Sequence, residues 1–599
     1  MSNLFSVPLP KAKSLNSSNI NDHIQWGELK GASQALSIAN AAKQHNGPLL
    51  VLIEDSPSAI KLEKELAFFL RNQKVHVQLF PDWETLPYDG FSPHQDIVSQ
   101  RLETLYLLSK KQPGIFIVPI NTILQRLAPV DYVGQHLMYL KVGETINTDE
   151  FKRKLEKSGY LHVSQVMTHS EFSVRGSIID LFPMGSDQPF RIDLFDDEID
   201  SIRYFDPDTQ RGLEETKEIR LLPAREFPTD KDAITGFRER YLDKFERSNT
   251  ADKESIFYQV SKGTMPSGIE YYLPLFFEKT STLFDYLNDD ALMLYYGDLN
   301  KASERFNKDL LQRYEQYRYN LARPLLSPID LYLDSNELMS RLKQWPSAQI
   351  MSESLPKKAG KHNFECRPIE GIGIDLTATN PYQAIQAEVK KAKEKNKKVI
   401  FCAESQGRKE NLMDVLHKAK IFPVNSPTFD AALNESTHSV FICVGMVENS
   451  FEFSDKKHAF LFVTETQLLG HKVSKRKLKD KRKATDESAI VRNLAELTEG
   501  QPVVHIDHGV GRFLGLQTLD AGGVTTEYLA IAYAKQAKLY VPVSSLHLIS
   551  RFSGGDPDHA PLHNLGNDTW SKAKRKAAEK VRDVAAQLLD VYAKRAAKP

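Results

Sequence analysis

The segment Glu28-Leu29-Lys30-Gly31-Ala32-Ser33-Gln34-Ala35 stands just before a helical pattern, where a phosphate-binding loop would sit. Such a loop needs backbone N–H groups around the phosphates, a lysine to neutralise them and a hydroxyl to hold magnesium. Gly31 and Ser33 keep part of the pattern. Gln34 stands in the lysine position and Ala35 in the hydroxyl position. Gln34 brings no charge, and Ala35 cannot touch a metal. The same residues also read as an ordinary helix start. The second half of an ATPase site is acidic and lies at the end of a buried strand. The candidate strand covers 291–295 and leads into Tyr296-Gly297, where Asp298 stands without a second carboxylate and is followed by Leu299. These two departures describe a degenerate nucleotide loop and predict that this chain does not hydrolyse ATP.

Other constellations are weaker. His505 and His508 have the spacing of metal ligands, but no cysteine or third ligand is near them in sequence. A strand histidine and a turn histidine are expected. Asp196-Asp197-Glu198 reads as a solvated turn rather than a cation site. Gly509-Val510-Gly511 is too short, and too closely flanked by β pattern, for a dinucleotide loop. No Ser/His/Asp or Cys/His arrangement can be argued from spacing. No catalytic residue, metal site or cofactor is therefore expected in this chain.

The 599 residues suggest three to five domains at roughly 100–200 residues each. The 78 basic residues balance 78 acidic ones, so any grip on nucleic acid must come from local patches. Cys366, Cys402 and Cys443 are far apart and suit a reducing, cytoplasmic setting rather than a disulfide framework. The first ten residues lack the basic-then-apolar pattern of a signal peptide. No run of 18 or more apolar residues occurs, so no membrane span and no membrane partner are expected.

The elements that must carry these residues begin with short apolar runs at 49–53, 115–118, 399–402 and 440–443. Such runs fit strands covered on both faces. Beside them, Ala59, Leu62, Leu66, Phe69 and Leu70 form one helical stripe. Strand followed by helix predicts parallel sheets. Residues 159–211 differ: period-two alternation around 174–179 and 190–195 predicts antiparallel strands, read as a small β-rich domain inserted into the first α/β domain. The stretch 471–483 holds eight Lys/Arg residues and reads as an exposed linker, or as a contact to DNA phosphates. Strand patterns at 503–506, 512–519, 527–534 and 539–543, with a Gly522-Gly523 turn, predict a small all-β barrel. Past an Asp568 cap, Val581, Val584, Leu588 and Val591 repeat at helical spacing. The expected order is an α/β domain at 1–137, the β-rich insertion at 138–223 and a second part of the α/β module at 224–355. A further α/β domain follows at 356–468, then the basic linker at 469–487, the β domain at 488–562 and a long helix at 563–599.

Five stretches stand out: Asp82-Trp83-Glu84-Thr85-Leu86-Pro87-Tyr88-Asp89, Phe91-Ser92-Pro93-His94-Gln95-Asp96, Asp180-Leu181-Phe182-Pro183-Met184-Gly185, Ser267-Gly268-Ile269-Glu270-Tyr271 and His508-Gly509-Val510-Gly511-Arg512. Together they resemble the transcription-repair coupling factors of bacteria. The resemblance covers nearly the whole chain and is weak only over 356–437. The first part also resembles UvrB, the excision-repair helicase subunit that keeps the loop lysine and acidic pair.

The resemblance implies a UvrB-like module, a Tudor/CarD-like β domain and a relay helix. It implies an adaptor that recruits UvrA and holds the β subunit of RNA polymerase. The ATP- and magnesium-using double-stranded-DNA translocase would follow residue 599. UvrA contact is implied for Arg175, Arg191 and Phe195. Arg191 and Phe195 are four apart on one strand and share a face, as a binding hot spot requires. Alternatively, Phe195 packs under a loop and the arginines pair with Asp196, Asp197 or Glu198. Polymerase contact is implied for Leu519 and its neighbour Thr518, at a strand end where an edge can add a partner strand. Alternatively, Leu519 is a core residue, a role Leu514 and Leu516 could also fill. The competing reading of the whole chain is an active UvrB-like ATPase or helicase.

Overall fold

The computed structural model describes residues 7–10, 23–207, 209–245, 250–320, 323–375, 378–455, 458–469, 500–505, 508–520, 525–542, 549–551 and 562–563. The chain forms two compact units, Met1–Val473 and Ser474–Pro599. The basic stretch 471–483, the Gly522-Gly523 turn and the long helix after Asp568 lie outside the described residues. No helix among the described residues is long and apolar enough to cross a membrane.

The first unit is built on a seven-stranded sheet. Its spatial order is Lys361–Asn363, His23–Gly27, Ser347–Ile350, Leu292–Tyr296, Pro48–Ile53, Gly114–Pro119 and Val77–Leu79. Every pairing is parallel. Pro48–Ile53 and Gly114–Pro119 are buried along their whole length, as apolar runs covered on both faces must be. The edge strand Lys361–Asn363 comes from beyond residue 355, so this layer reaches further along the chain than the sequence pattern suggests.

The inserted domain leaves and rejoins this layer through one pair of antiparallel strands, Met138–Lys141 and Glu218–Leu221. Adjacent entry and exit strands let a whole domain be inserted without separating the ends of the host. The insertion is a six-stranded sheet in the order Gly212–Thr216, Glu198–Phe205, Phe190–Phe195, Ile178–Leu181, Glu171–Arg175 and Leu161–His162. Phe172, Ile179, Leu181, Ile192, Leu194 and Ile202 line its buried face.

Buried polar contacts fix the host chain just past the point where the insertion ends, and one histidine ties the insertion to the host. Arg101 is fully buried and donates to both Glu226 oxygens at 2.6 and 3.1 Å. The Trp83 indole N–H donates to the same carboxylate at 3.0 Å. His169 of the insertion bridges Asp96 Oδ1 and the Ser186 carbonyl, both at 2.7 Å.

The next α/β domain has its own six-stranded sheet, ordered Arg367–Pro368, Phe451–Ser454, Ala459–Thr464, Lys398–Ala403, Val440–Val444 and Val424–Asn425. One face shares a core with the first layer. Phe68 and Phe69, at the end of helix Ser56–Phe69, pack against Phe429 and Phe462 with ring centroids 5.1–6.1 Å apart.

The second unit contains a five-stranded antiparallel sheet, ordered Lys538–Pro542, Thr525–Ala532, Gly509–Asp520, Pro502–His505 and Ile549–Arg551. Val503, Phe513, Leu529, Ile531, Tyr533, Val541 and Ile549 form its core. The sequence offered Leu514 and Leu516 for this core, and neither enters it. A one-residue bulge between Phe513 and Leu516, with Gly515 at φ +99°, leaves them 38% and 44% exposed.

Candidate functional site

The loop of the first layer folds as a tight helix start. Gly31 has φ +58°, and helix Ser33–Gln44 begins two residues later. The Ser33 hydroxyl donates to the Lys30 carbonyl at 2.8 Å, and the Gln34 amide donates to the Leu29 carbonyl at 3.2 Å. Both polar side chains therefore serve the turn itself. Ala35 is fully buried. A Cβ added to Gly31 would stand 2.8 Å from the Ser450 carbonyl and 3.1 Å from Asn449 Cβ. Backbone of the second α/β domain thus lies against the loop glycine.

The strand singled out from sequence for the acidic half of a nucleotide site is not the immediate neighbour of the loop strand. The neighbour of His23–Gly27 on the inner side is Ser347–Ile350, while Leu292–Tyr296 is one strand further away. The position facing the loop is therefore Met351-Ser352-Glu353. Its backbone is bound to the loop: Leu29 N–H donates to the Met351 carbonyl at 3.1 Å and Glu28 N–H to the Glu353 carbonyl at 2.9 Å. Asp298 instead caps helix Leu299–Tyr317, accepting from the Lys301 N–H at 3.2 Å. A cavity of about 250 Å³ remains beside the loop, lined by Glu28, Lys30, Ser352, Ser354, Glu365 and Arg367 among others.

In the inserted domain, one buried carboxylate organises the candidate face. Asp180 is fully buried. Arg191 donates to its two oxygens at 2.7 and 3.0 Å, and Arg175 donates to it as well. These hydrogen bonds hold the Arg191 guanidinium above its ordinary pKa. Arg191 also reaches the Gln210 carbonyl at 3.1 Å and lies 4.9 Å from the centre of the Phe205 ring. The strand register sets Asp180 opposite Arg191 and Arg191 opposite Arg203, one row across three strands. The arginines therefore pair with Asp180, not with Asp196, Asp197 or Glu198. Phe195 does not pack under a loop; it ends its strand 74% exposed. Asp196, at φ +53°, makes the turn that follows.

In the second unit, the backbone of Thr518 and Leu519 pairs with Glu527 and Thr526. Their side chains lie outside the described residues. On its other side the long strand pairs with Pro502–His505 only over Gly509–Arg512, and Phe513 exchanges hydrogen bonds with Gly500 and Gln501. Among the described residues, no strand pairs with that side of 514–520. Among the described residues this leaves one side of 514–520 unpaired, with Leu514 and Leu516 exposed on the same segment. The His505 and His508 rings lie 4.7 Å apart, and no cluster of three potential metal ligands occurs among the described residues. The sequence missed Asp180, the residue that positions both arginines. Its signal was an acid inside a hydrophobic strand, opposite a basic residue across a hairpin.

Three regions match known domains: the UvrB interaction domain at 138–227, the MFD D3 domain at 392–468 and the CarD-like/TRCF RID domain at 497–553. The chain is similar to the transcription-repair-coupling factor of Escherichia coli (strain K12), with 47% identity over 573 residues, 96% of this chain and 49% of the relative. The same named factor of Haemophilus influenzae is 44% identical over 578 residues, 96% of this chain and 49% of that protein. That of Bacillus subtilis (strain 168) is 28% identical over 590 residues, 95% and 48% respectively. The chain spans about half the length of the curated relatives it matches.

Proposed function

We infer the function from the premise that this chain belongs with the N-terminal portion of the transcription-repair-coupling factors. On that premise it is an adaptor for transcription-coupled excision repair. It engages RNA polymerase, through the β subunit, with the small β domain, and recruits UvrA with the inserted domain. The observation that carries this reading is the strand edge at 514–520, unpaired on one side among the described residues. An edge of this kind accepts a strand from another protein, and one apolar side chain such as Leu519 adds selectivity. For UvrA, the exposed Phe195 ring is the anchor. Arg175 and Arg191 are fixed on the same sheet by Asp180, so little side-chain freedom is lost on binding.

The first layer then serves as a UvrB-like scaffold with a degenerate nucleotide loop. Gln34 and Ser33 are engaged by the turn, and the Asp298 carboxylate singled out from the sequence caps a helix. ATP, magnesium and movement along double-stranded DNA belong to the portion of the relatives that this chain does not span.

The test is a pull-down of RNA polymerase with the chain and with Leu519→Arg. Loss of capture with an unchanged melting temperature is expected. Undiminished capture removes Leu519 from the interface. Calorimetry with ATP and magnesium separates the adaptor from an active UvrB-like ATPase: heat of a tight site would overturn the scaffold reading.

A further inference from the structure

A second cavity, of about 210 Å³, lies in the first unit. Its walls are tyrosine rings and guanidinium groups: Tyr88, Tyr271, Tyr317, Arg313 and Arg323, with Asp89 and Asn320 beside them. Tyr88 has φ +63°, a left-handed backbone that a bulky residue seldom adopts. It is held there by its hydroxyl, which donates to the Leu326 carbonyl at 3.0 Å, and by the Tyr271 and Tyr314 rings at 6.1 and 5.7 Å. Strained residues of this kind gather at ligand sites.

The charges point the same way. Arg313 is tied to the Pro87 carbonyl at 2.6 Å and stands over the Tyr317 ring at 5.3 Å. Arg323 donates to the Ser267 carbonyl and lies against Gly90 and Gly268. Among the described residues, both arginines are bound to backbone carbonyls rather than to a carboxylate within 4.0 Å. Two guanidiniums held by carbonyls, with the Asp89 carboxylate on the cavity wall but in no ion pair with them, suit an incoming anion. Rings beside them suit a flat base. The aromatic surface continues past the cavity: Phe91 is 69% exposed, and Tyr319 is 73% exposed with the Arg318 guanidinium 4.9 Å from its ring.

We propose that this pocket binds one nucleotide of an unpaired nucleic-acid strand, with its neighbours stacking on Tyr319 and Phe91. Base stacking on tyrosine tolerates any sequence, and arginines contact the phosphates on either side. A free nucleoside phosphate shares the pocket chemistry, but it would leave the outer rings unused.

The experiment is fluorescence anisotropy of a labelled twelve-nucleotide oligothymidylate titrated with the whole chain at low salt. Tyr319→Ala and Arg323→Ala are each expected to weaken binding about tenfold, within the range for loss of one stacking partner. Tyr319 is largely exposed, so its replacement should leave the melting temperature unchanged. Photocrosslinking of an iodouracil-substituted oligonucleotide should map to Tyr317 or Tyr319. Unlabelled duplex should compete at least tenfold less well than the single strand. Unchanged binding by both variants overturns the proposal, as does crosslinking confined to residues outside the pocket. Equal competition by duplex, or by thymidine monophosphate at the same nucleotide concentration, overturns the unpaired-strand assignment.

Discussion

Replacing Glu65 by Gln should stabilise the chain, and the gain should grow with pH. Glu65 sits on helix Ser56–Phe69, 2% exposed, where that helix meets the second α/β domain. Burial pushes its carboxyl from 4.5 up to about 7, against the opposing pull of Lys61, with the Glu448 charge adding to the rise. One oxygen, Oε1, has no hydrogen-bond partner, and the Glu448 backbone hydrogen bond favours the ionised form. Between about pH 4.5 and 7 the folded protein keeps a proton that the unfolded chain has released. Stability from this group therefore falls as pH rises through that window, and the loss is complete above about 7. The interval from 4.5 to about 7 corresponds to about 3 kcal/mol. Gln keeps the shape and the oxygen that accepts from Glu448, and it never ionises. Denaturant unfolding followed by tryptophan fluorescence, from about pH 5 to 8, should show the two proteins converging at the acid end and separating by up to about 3 kcal/mol at the alkaline end. A difference that stays constant across pH would refute the assignment of this penalty to Glu65.

Arg101→Met should cost about 3–5 kcal/mol, read as a lower melting temperature, because Glu226 is left buried and uncompensated. Gly445→Ala should cost about 1–3 kcal/mol, since the new Cβ would stand 2.2 Å from the Phe68 ring inside a packed aromatic cluster. Phe195→Ala should reduce UvrA capture about tenfold or more with no change in melting temperature, as expected for truncating an exposed hot-spot aromatic. Asp180→Asn should weaken the same capture and also destabilise the inserted domain, because the arginines lose their shared anchor.

Local chemistry was legible in the sequence. Gln34 and Ala35 stand in the lysine and hydroxyl positions of a phosphate-loop pattern, a reading that needs only adjacent residues. The apolar runs of the first layer and the alternation in the insertion also announced themselves, since burial on two faces or one leaves different periods in the chain. What the sequence could not hold was adjacency between distant segments. Only the sheet order decided that the strand facing the loop is Ser347–Ile350, more than 300 residues along the chain, and not Leu292–Tyr296. Only the register across two hairpins decided that Asp180 anchors Arg175 and Arg191, leaving Phe195 to project into solvent. Only the bulge at Gly515 turned Leu514 and Leu516 away from the core, beside a strand edge left unpaired among the described residues. Pairing partners and bulges depend on which strands meet, and that is settled by packing of the whole sheet rather than by any short run of residues.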